Sequence, residues 1–292
     1  MELIFFILIY FLLTISVLGF GFLFAKKISS YNSNINIGYI GLYGIFLLTL
    51  ISYLTNLVVK HDYIHNIILL IIGIFFFVQY VLSDKYLKKN KDLKYLIFFL
   101  ILSILAILYY KSHDDFPYYH LSFIHNLTLN KLEFGLGNFD LAFNHVSSLF
   151  FFHSLFRLPF TQDYFYFLGP ALIMVFANTI LIESIYENKK KLNFHFFLKL
   201  FIFVFINVFF YRLAEHGTDR SAIILIFLSI LIIFEILDNS KLKNQLFENL
   251  IILLTFIISL KSFYAIYSLL FLLIYFKFFK ISNISIFYKN FK

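Results

Sequence analysis

The 292-residue chain is 61% hydrophobic and 14% charged, against about 25% charged residues in an ordinary soluble domain, which excludes a water-soluble globular protein. Its formal net charge of +8 comes largely from lysines in short loops between apolar runs, a pattern that suits anionic lipid better than nucleic acid. There is no cysteine, so disulfides and thiolate chemistry are excluded as well.

A helix that crosses a bilayer needs about 20 mainly apolar residues. In chain order, apolar runs lie at Leu3 to Ala25, Ile37 to Val59, Tyr63 to Leu82, Tyr95 to Tyr110, Tyr164 to Ile185, Asn193 to Tyr211, Ser221 to Leu237, Leu246 to Leu260 and Phe263 to Phe276. They predict an all-α, polytopic bundle of about eight or nine spans, one transmembrane domain over residues 1–292 with a long loop at 111–163. The first run has no small-residue cleavage pattern and is expected to stay as an anchor. The last two are short and divided by Lys261 and Ser262 alone, which predicts a tight helical hairpin.

Basic residues concentrate on the cytoplasmic side of membrane proteins. Alternating the loops puts 17 of the 24 lysines and arginines on one side, with "KK" at 26 and "KKK" at 189, and seven on the other. The lysine-rich side is therefore expected in the cytoplasm, and the N-terminus and the 111–163 loop outside, with eight of the nine histidines.

That loop opens on "HDDFPYYHLSFIHNLTLNK". Asp114 or Asp115 suits an N-cap and Pro117 a first helical turn, so a helix is expected from about Phe116 to Leu129, its stripe of Leu121, Ile124 and Leu127 lying along the membrane interface. After "GLGN", a second interfacial helix is expected within "FDLAFNHVSSLFFFHSLF", with Asp140, His145, Ser147, Ser148 and His153. A carboxylate near an apolar surface can serve as a general base toward an acceptor hydroxyl, which marks Asp114 and Asp115 as catalytic candidates, with His120 to orient the base or bind a phosphate. Against that stands the plainer reading of one cap and one solvated neighbour. His125, His145 and His153 lack the i, i+4 spacing of a helical zinc site, so no metal and no cofactor is expected.

Two more outward stretches carry charge. "YRLAEHGTDRSAIILIF" brings Glu215, His216, Asp219 and Arg220 between two spans, and "ISLKSFYAIYSLL" leaves Lys261 alone between two others. Arg220 has the fork geometry for a phosphate. Lys261 either snorkels to headgroups or binds phosphate. Asp219 either caps its helix or joins the substrate-binding site, to which His145 of the long loop is also assigned.

Taken together, "DDFPYYHLSFI", "GLGNFDLAFNHVSSLFFFHSLF", "HGTDRSAIIL" and "SLKSF" resemble a bacterial branch of the GT-C superfamily of membrane glycosyltransferases, over roughly residues 95–275. The resemblance implies transfer of a sugar from a polyprenyl-phosphate donor to a lipid or glycan acceptor on the outer face of the membrane lipid bilayer, in a bacterial plasma membrane. It makes Asp114 or Asp115 the base and gives the phosphate to Arg220 or Lys261. Two departures stand out. Superfamily members commonly carry the catalytic loop after the first span, whereas four spans precede it here, and many continue beyond where this chain stops at "FYKNFK", which implies a reduced or C-terminally truncated member. The alternative functions are a transporter or flippase, or a polymerase, of lipid-linked saccharides. Transport is less favoured because Lys199, Glu183 and Glu235 all fall near cytoplasmic span ends rather than deep in the bilayer.

Overall fold

The computed structural model describes residues 2–28, 35–83, 92–108, 114–159, 161, 163–189, 192–212, 217–238 and 244–278. Glu215 and His216 lie outside the described residues. Among those described, every regular element is helical: α1 (Glu2–Ile28), α2 (Ile37–Asn56), α3 (Tyr63–Ser83), α4 (Leu93–Leu108), α5 (Leu121–Leu129), α6 (Ser148–Ser154), α7 (Leu168–Asn188), α8 (Phe194–Phe209), α9 (Thr218–Asp238), α10 (Asn244–Leu260) and α11 (Leu270–Phe278), with a π-helical turn at Phe116–His120 and several 3₁₀ segments.

Among the described residues, five helices are long and apolar enough to cross a membrane: Leu3–Lys27, Ile37–Asn56, Tyr63–Leu82, Phe165–Asn188 and Thr218–Asp238. Four shorter apolar helices stand at the remaining predicted runs. In the last of them, Lys261 is extended and residues Ser262–Leu269 form a 3₁₀ helix that continues into α11. The 3₁₀ rise of about 2.0 Å per residue exceeds the α-helical 1.5 Å, so these 17 residues reach about 30 Å instead of about 25 Å. The chain reverses at Lys261, as the contact of Phe247 with Phe271 (ring centroids 5.9 Å apart) requires.

Helix α7 is the centre of the bundle. Its span is 94% buried and it packs on α2, α4, α8 and α9, so it is apolar all round rather than striped. Helices at the rim show the opposite arrangement: Ile64, Ile68, Ile71, Phe75, Val78 and Leu82 form an exposed stripe along α3, as a lipid-facing surface does. Helix α1 meets α2 and α3 at glycines. A Cβ on Gly21 would strike the carbonyl of Ile40, one on Gly44 that of Val17, and one on Gly19 that of Gly73, the close backbone approach that drives helix association where water is absent. Polar side chains inside the bundle pair with one another: the Tyr10 and Ser103 hydroxyls lie 2.7 Å apart, and Asn178 and Asn207 exchange amide bonds of 3.0 and 2.8 Å.

The second segment of the long loop differs from expectation. It is not one interfacial helix; it forms 3₁₀ turns at Leu136–Asn138 and Leu141–Asn144, followed by α6, all seven residues of which are buried. Leu149, Phe150, Phe151 and Phe152 point in every direction around this short helix because α2, α5 and α7 surround it.

The loop is held to the bundle by polar bonds at the ends of α2 and α3. Asn56 at the end of α2 donates its side-chain amide to the carbonyl of Leu127 (2.9 Å), which also receives the backbone N–H of His61 (3.0 Å), while Leu132 N–H donates to Asn56 (2.9 Å). The Asn66 amide reaches the carbonyls of Ser154 and Arg157, both at 2.9 Å. His61 sits between the Ser154 and Thr55 hydroxyls at 2.6 and 3.1 Å, its ring stacked on His65 at 4.7 Å. Burial, then the neighbouring His65, pulls the His61 pKa from 6.5 down to about 3.

Because the fold favours neutral His61, the stability it contributes is full above pH 6.5 and is lost as pH falls toward about 3. The thermal stability of the wild type over a His61→Gln variant, measured in detergent across that range, is expected to be largest at neutral pH and to shrink on acidification. A difference that stays constant down to pH about 4.5 contradicts the clamp.

Candidate functional site

A cavity of about 620 Å³ opens where the long loop meets the ends of α9 and α10. Four stretches of chain build it. The π-helical turn supplies Asp115, Tyr119 and His120; the approach to α6 supplies His145; the first turn of α9 supplies Asp219 and Arg220; and the start of the last hairpin arm supplies Lys261. Six of the seven sequence candidates thus line one cavity. Asp114 is the exception: it is exposed at the turn before the helix and does not line the cavity.

The turn at Phe116–His120 is π-helical, with Pro117 in its first turn, a widening of the helix that often accompanies functional sites. It is seated from both sides. Phe116 packs on Phe167 at the start of α7 (4.7 Å), and the His120 ring lies against Phe150 of α6 (4.5 Å) and Tyr119 (4.2 Å). Asp115 precedes this turn with helical backbone angles and makes no side-chain capping bond. The expected capping role therefore does not apply to it.

Across the cavity, Lys261 donates to both carboxylate oxygens of Asp219, at 2.6 and 2.8 Å, and Tyr264 donates its hydroxyl to the same carboxylate at 3.1 Å. Snorkelling alone does not describe Lys261, whose ammonium is fixed by a side chain 42 residues away. Arg220, one residue on, donates to the carbonyl of Arg212 at 3.2 Å. The Tyr119 hydroxyl has its pKa raised, first by burial and then by Asp115 and Asp219. Both carboxylates thus act on one phenol, although they are far apart in sequence. Beneath the cavity, the Ser148 and Ser259 hydroxyls meet at 3.0 Å and tie α6 to α10.

Sequence reasoning missed Tyr119 and Tyr264. Tyr119 was visible beside the acid pair, but tyrosines are abundant here, with 21 in the chain, and nothing singled it out. Tyr264 meets Asp219 across 45 residues, a pairing without a local signal. Among the described residues, no three His, Asp or Glu side chains are grouped to hold a metal ion. His153 lies buried in α6, and His125 packs edge-on against Tyr166 at 5.9 Å.

Residues 1–291 match the family described as a domain of unknown function, DUF8201, and the chain belongs to it. No curated protein and no solved structure matches the chain.

The Asp219–Lys261 pair is about half exposed, with side chains 49% and 47% accessible, so its contribution to folding is small. A double-mutant cycle of Asp219→Asn and Lys261→Met, read as thermal stability, is expected to give a coupling of about 1 kcal/mol or less. A coupling of several kcal/mol would make the pair a structural strut instead.

Proposed function

We propose that this family member is a GT-C-type membrane glycosyltransferase, transferring a sugar from a polyprenyl-phosphate-linked donor to a lipid or glycan acceptor on the outer face of a bacterial plasma membrane. In this reading the chain crosses the bilayer nine times, with its N-terminus and the 111–163 loop outside. The observation that carries it is the convergence of one carboxylate, Asp115, with two cationic side chains, Arg220 and Lys261, around a single cavity.

The chemistry divides among these groups. Asp115 takes the proton of the acceptor hydroxyl as its oxygen attacks the anomeric carbon. The bond from that carbon to the phosphate oxygen breaks, and the electron pair leaves with the phosphate. Arg220 and Lys261 meet the negative charge that develops there, in a site where fixed charges act more strongly than in water. Asp219 keeps the Lys261 ammonium over the cavity, and His120, buried beside Asp115 on the same turn, orients the base. A single essential carboxylate fits direct displacement, unlike the acid pair of hydrolases.

The assay is product formation in membranes supplied with polyprenyl-phosphate-linked sugars. Asp115→Asn is expected to lower the rate by about 100-fold or more, the usual scale of a lost general base, while Asp114→Asn stays near wild type. Equal, undiminished product from both variants removes the catalytic reading. Movement of the lipid-linked saccharide across the membrane with no new glycosidic bond points to the transporter instead.

A further inference from the structure

We infer that the turn segment 130–146 is a bilayer anchor, inserting Phe134, Phe139 and Leu141 into the interface of the leaflet on the cavity side. The inference does not depend on the chemistry proposed for the cavity. Phe139 and Phe134 are 90% and 84% exposed, the most exposed large apolar residues among those described, and Leu141 follows at 78%.

These side chains are held outward by a built structure. Gly135 takes the left-handed backbone conformation, φ +83°, that favours glycine. The N–H of Phe139 donates to the carbonyl of Leu136 at 3.0 Å. Asp140 caps the next 3₁₀ turn by accepting the Ala142 N–H at 2.9 Å, and accepts the Tyr118 hydroxyl at 3.3 Å. A Cβ on Gly137 would strike the Asn144 side chain, so the two turns are packed on each other. The apolar tips therefore project from a set scaffold.

Depth identifies the occupant as lipid. Leu132 N–H bonds to the carbonyl of Asn56, the last residue of the membrane helix α2, so Phe134 lies within two residues of a backbone bond to a span end. The adjoining α2–α3 turn exposes Leu57, Val58 and Val59 at 50%, 65% and 43%, which extends the apolar surface at the same level. Tyr118, exposed and bonded to Asp140, has the amphipathic form that favours this layer. Lys131 and Glu133 at the start of the segment offset each other, and between 134 and 146 the single formally charged side chain is Asp140. Attachment therefore comes from apolar insertion and not from attraction to anionic headgroups, and it is insensitive to salt.

The chain contains no tryptophan, so Phe139→Trp and Phe134→Trp each create a sole tryptophan, excited selectively over the tyrosines, at a position too exposed to disturb packing. The full chain is reconstituted in phosphatidylcholine vesicles containing lipid brominated either near the glycerol end or near the chain terminus. Phe75→Trp, on the lipid-facing stripe of α3, serves as the reconstitution control, quenched by terminal bromines. The anchor predicts blue-shifted emission at 139 and 134, quenched more by glycerol-end than by terminal bromines, resistant to acrylamide and unchanged by salt. Red-shifted emission quenched by acrylamide overturns it, because the tips then stand in water. Blue-shifted emission that neither bromolipid quenches also overturns it, because a protein surface then covers them.

Discussion

The position of the cavity depends on how the C-terminal end of α2 and the N-terminal end of α3 satisfy their polar groups. The last carbonyls of a helix have no partner within it, and in a bilayer such groups cannot be left to the hydrocarbon. Here the carbonyl of Asn56 is taken by Leu132, while the Asn56 and Asn66 side chains and His61 reach across to Leu127, Ser154 and Arg157. These bonds bind a long connection to the bundle at both of its helices. With α5 and α6 fixed in this way, the preceding π-helical turn has a determined place, and with it Asp115 and His120.

The same arrangement explains why α6 is buried. Ser52 of α2 donates to the carbonyl of Phe151 at 2.6 Å, and the Tyr53 ring stacks on that of Phe151 at 3.8 Å. A seven-residue helix is too short to be stable alone. It persists because four consecutive large apolar residues are packed from all sides, and it forms the floor on which His120 and Tyr119 rest. The charges above that floor are arranged in opposed sets. Asp219 and Lys261 answer each other directly, and Asp115 and Arg220 line the same space. The cavity thus has a polar mouth over an apolar floor.

Much of this was legible in the sequence, and the reasons for success and failure are physical. Spans were readable because twenty apolar residues in a row have few alternatives in water, and the edges drawn for α2 and α3 fall within a few residues of the structure. Asp115, Asp219, Arg220 and Lys261 were readable as candidates because charges are rare in so apolar a chain. That Asp115 lines the cavity and Asp114 does not follows from their places at the start of a π-helical turn, which sequence periodicity does not encode. The second part of the long loop was misread as an interfacial helix because a run such as "SLFFFHSLF" looks the same whether lipid or protein covers it. The 3₁₀ course of Ser262–Leu269 and the Asp219–Tyr264 bond arise from packing between distant segments, and no local pattern announces them.

The account rests on the cavity opening away from the lysine-rich loops. Since the chain has no cysteine, single cysteines can be introduced at Asn144, on the exposed cavity rim, and at Lys189, at the end of α7. Treating intact cells with a membrane-impermeant maleimide measures sidedness directly. The account predicts labelling of Asn144→Cys from outside, with Lys189→Cys labelled only after permeabilisation; the reverse pattern would contradict it.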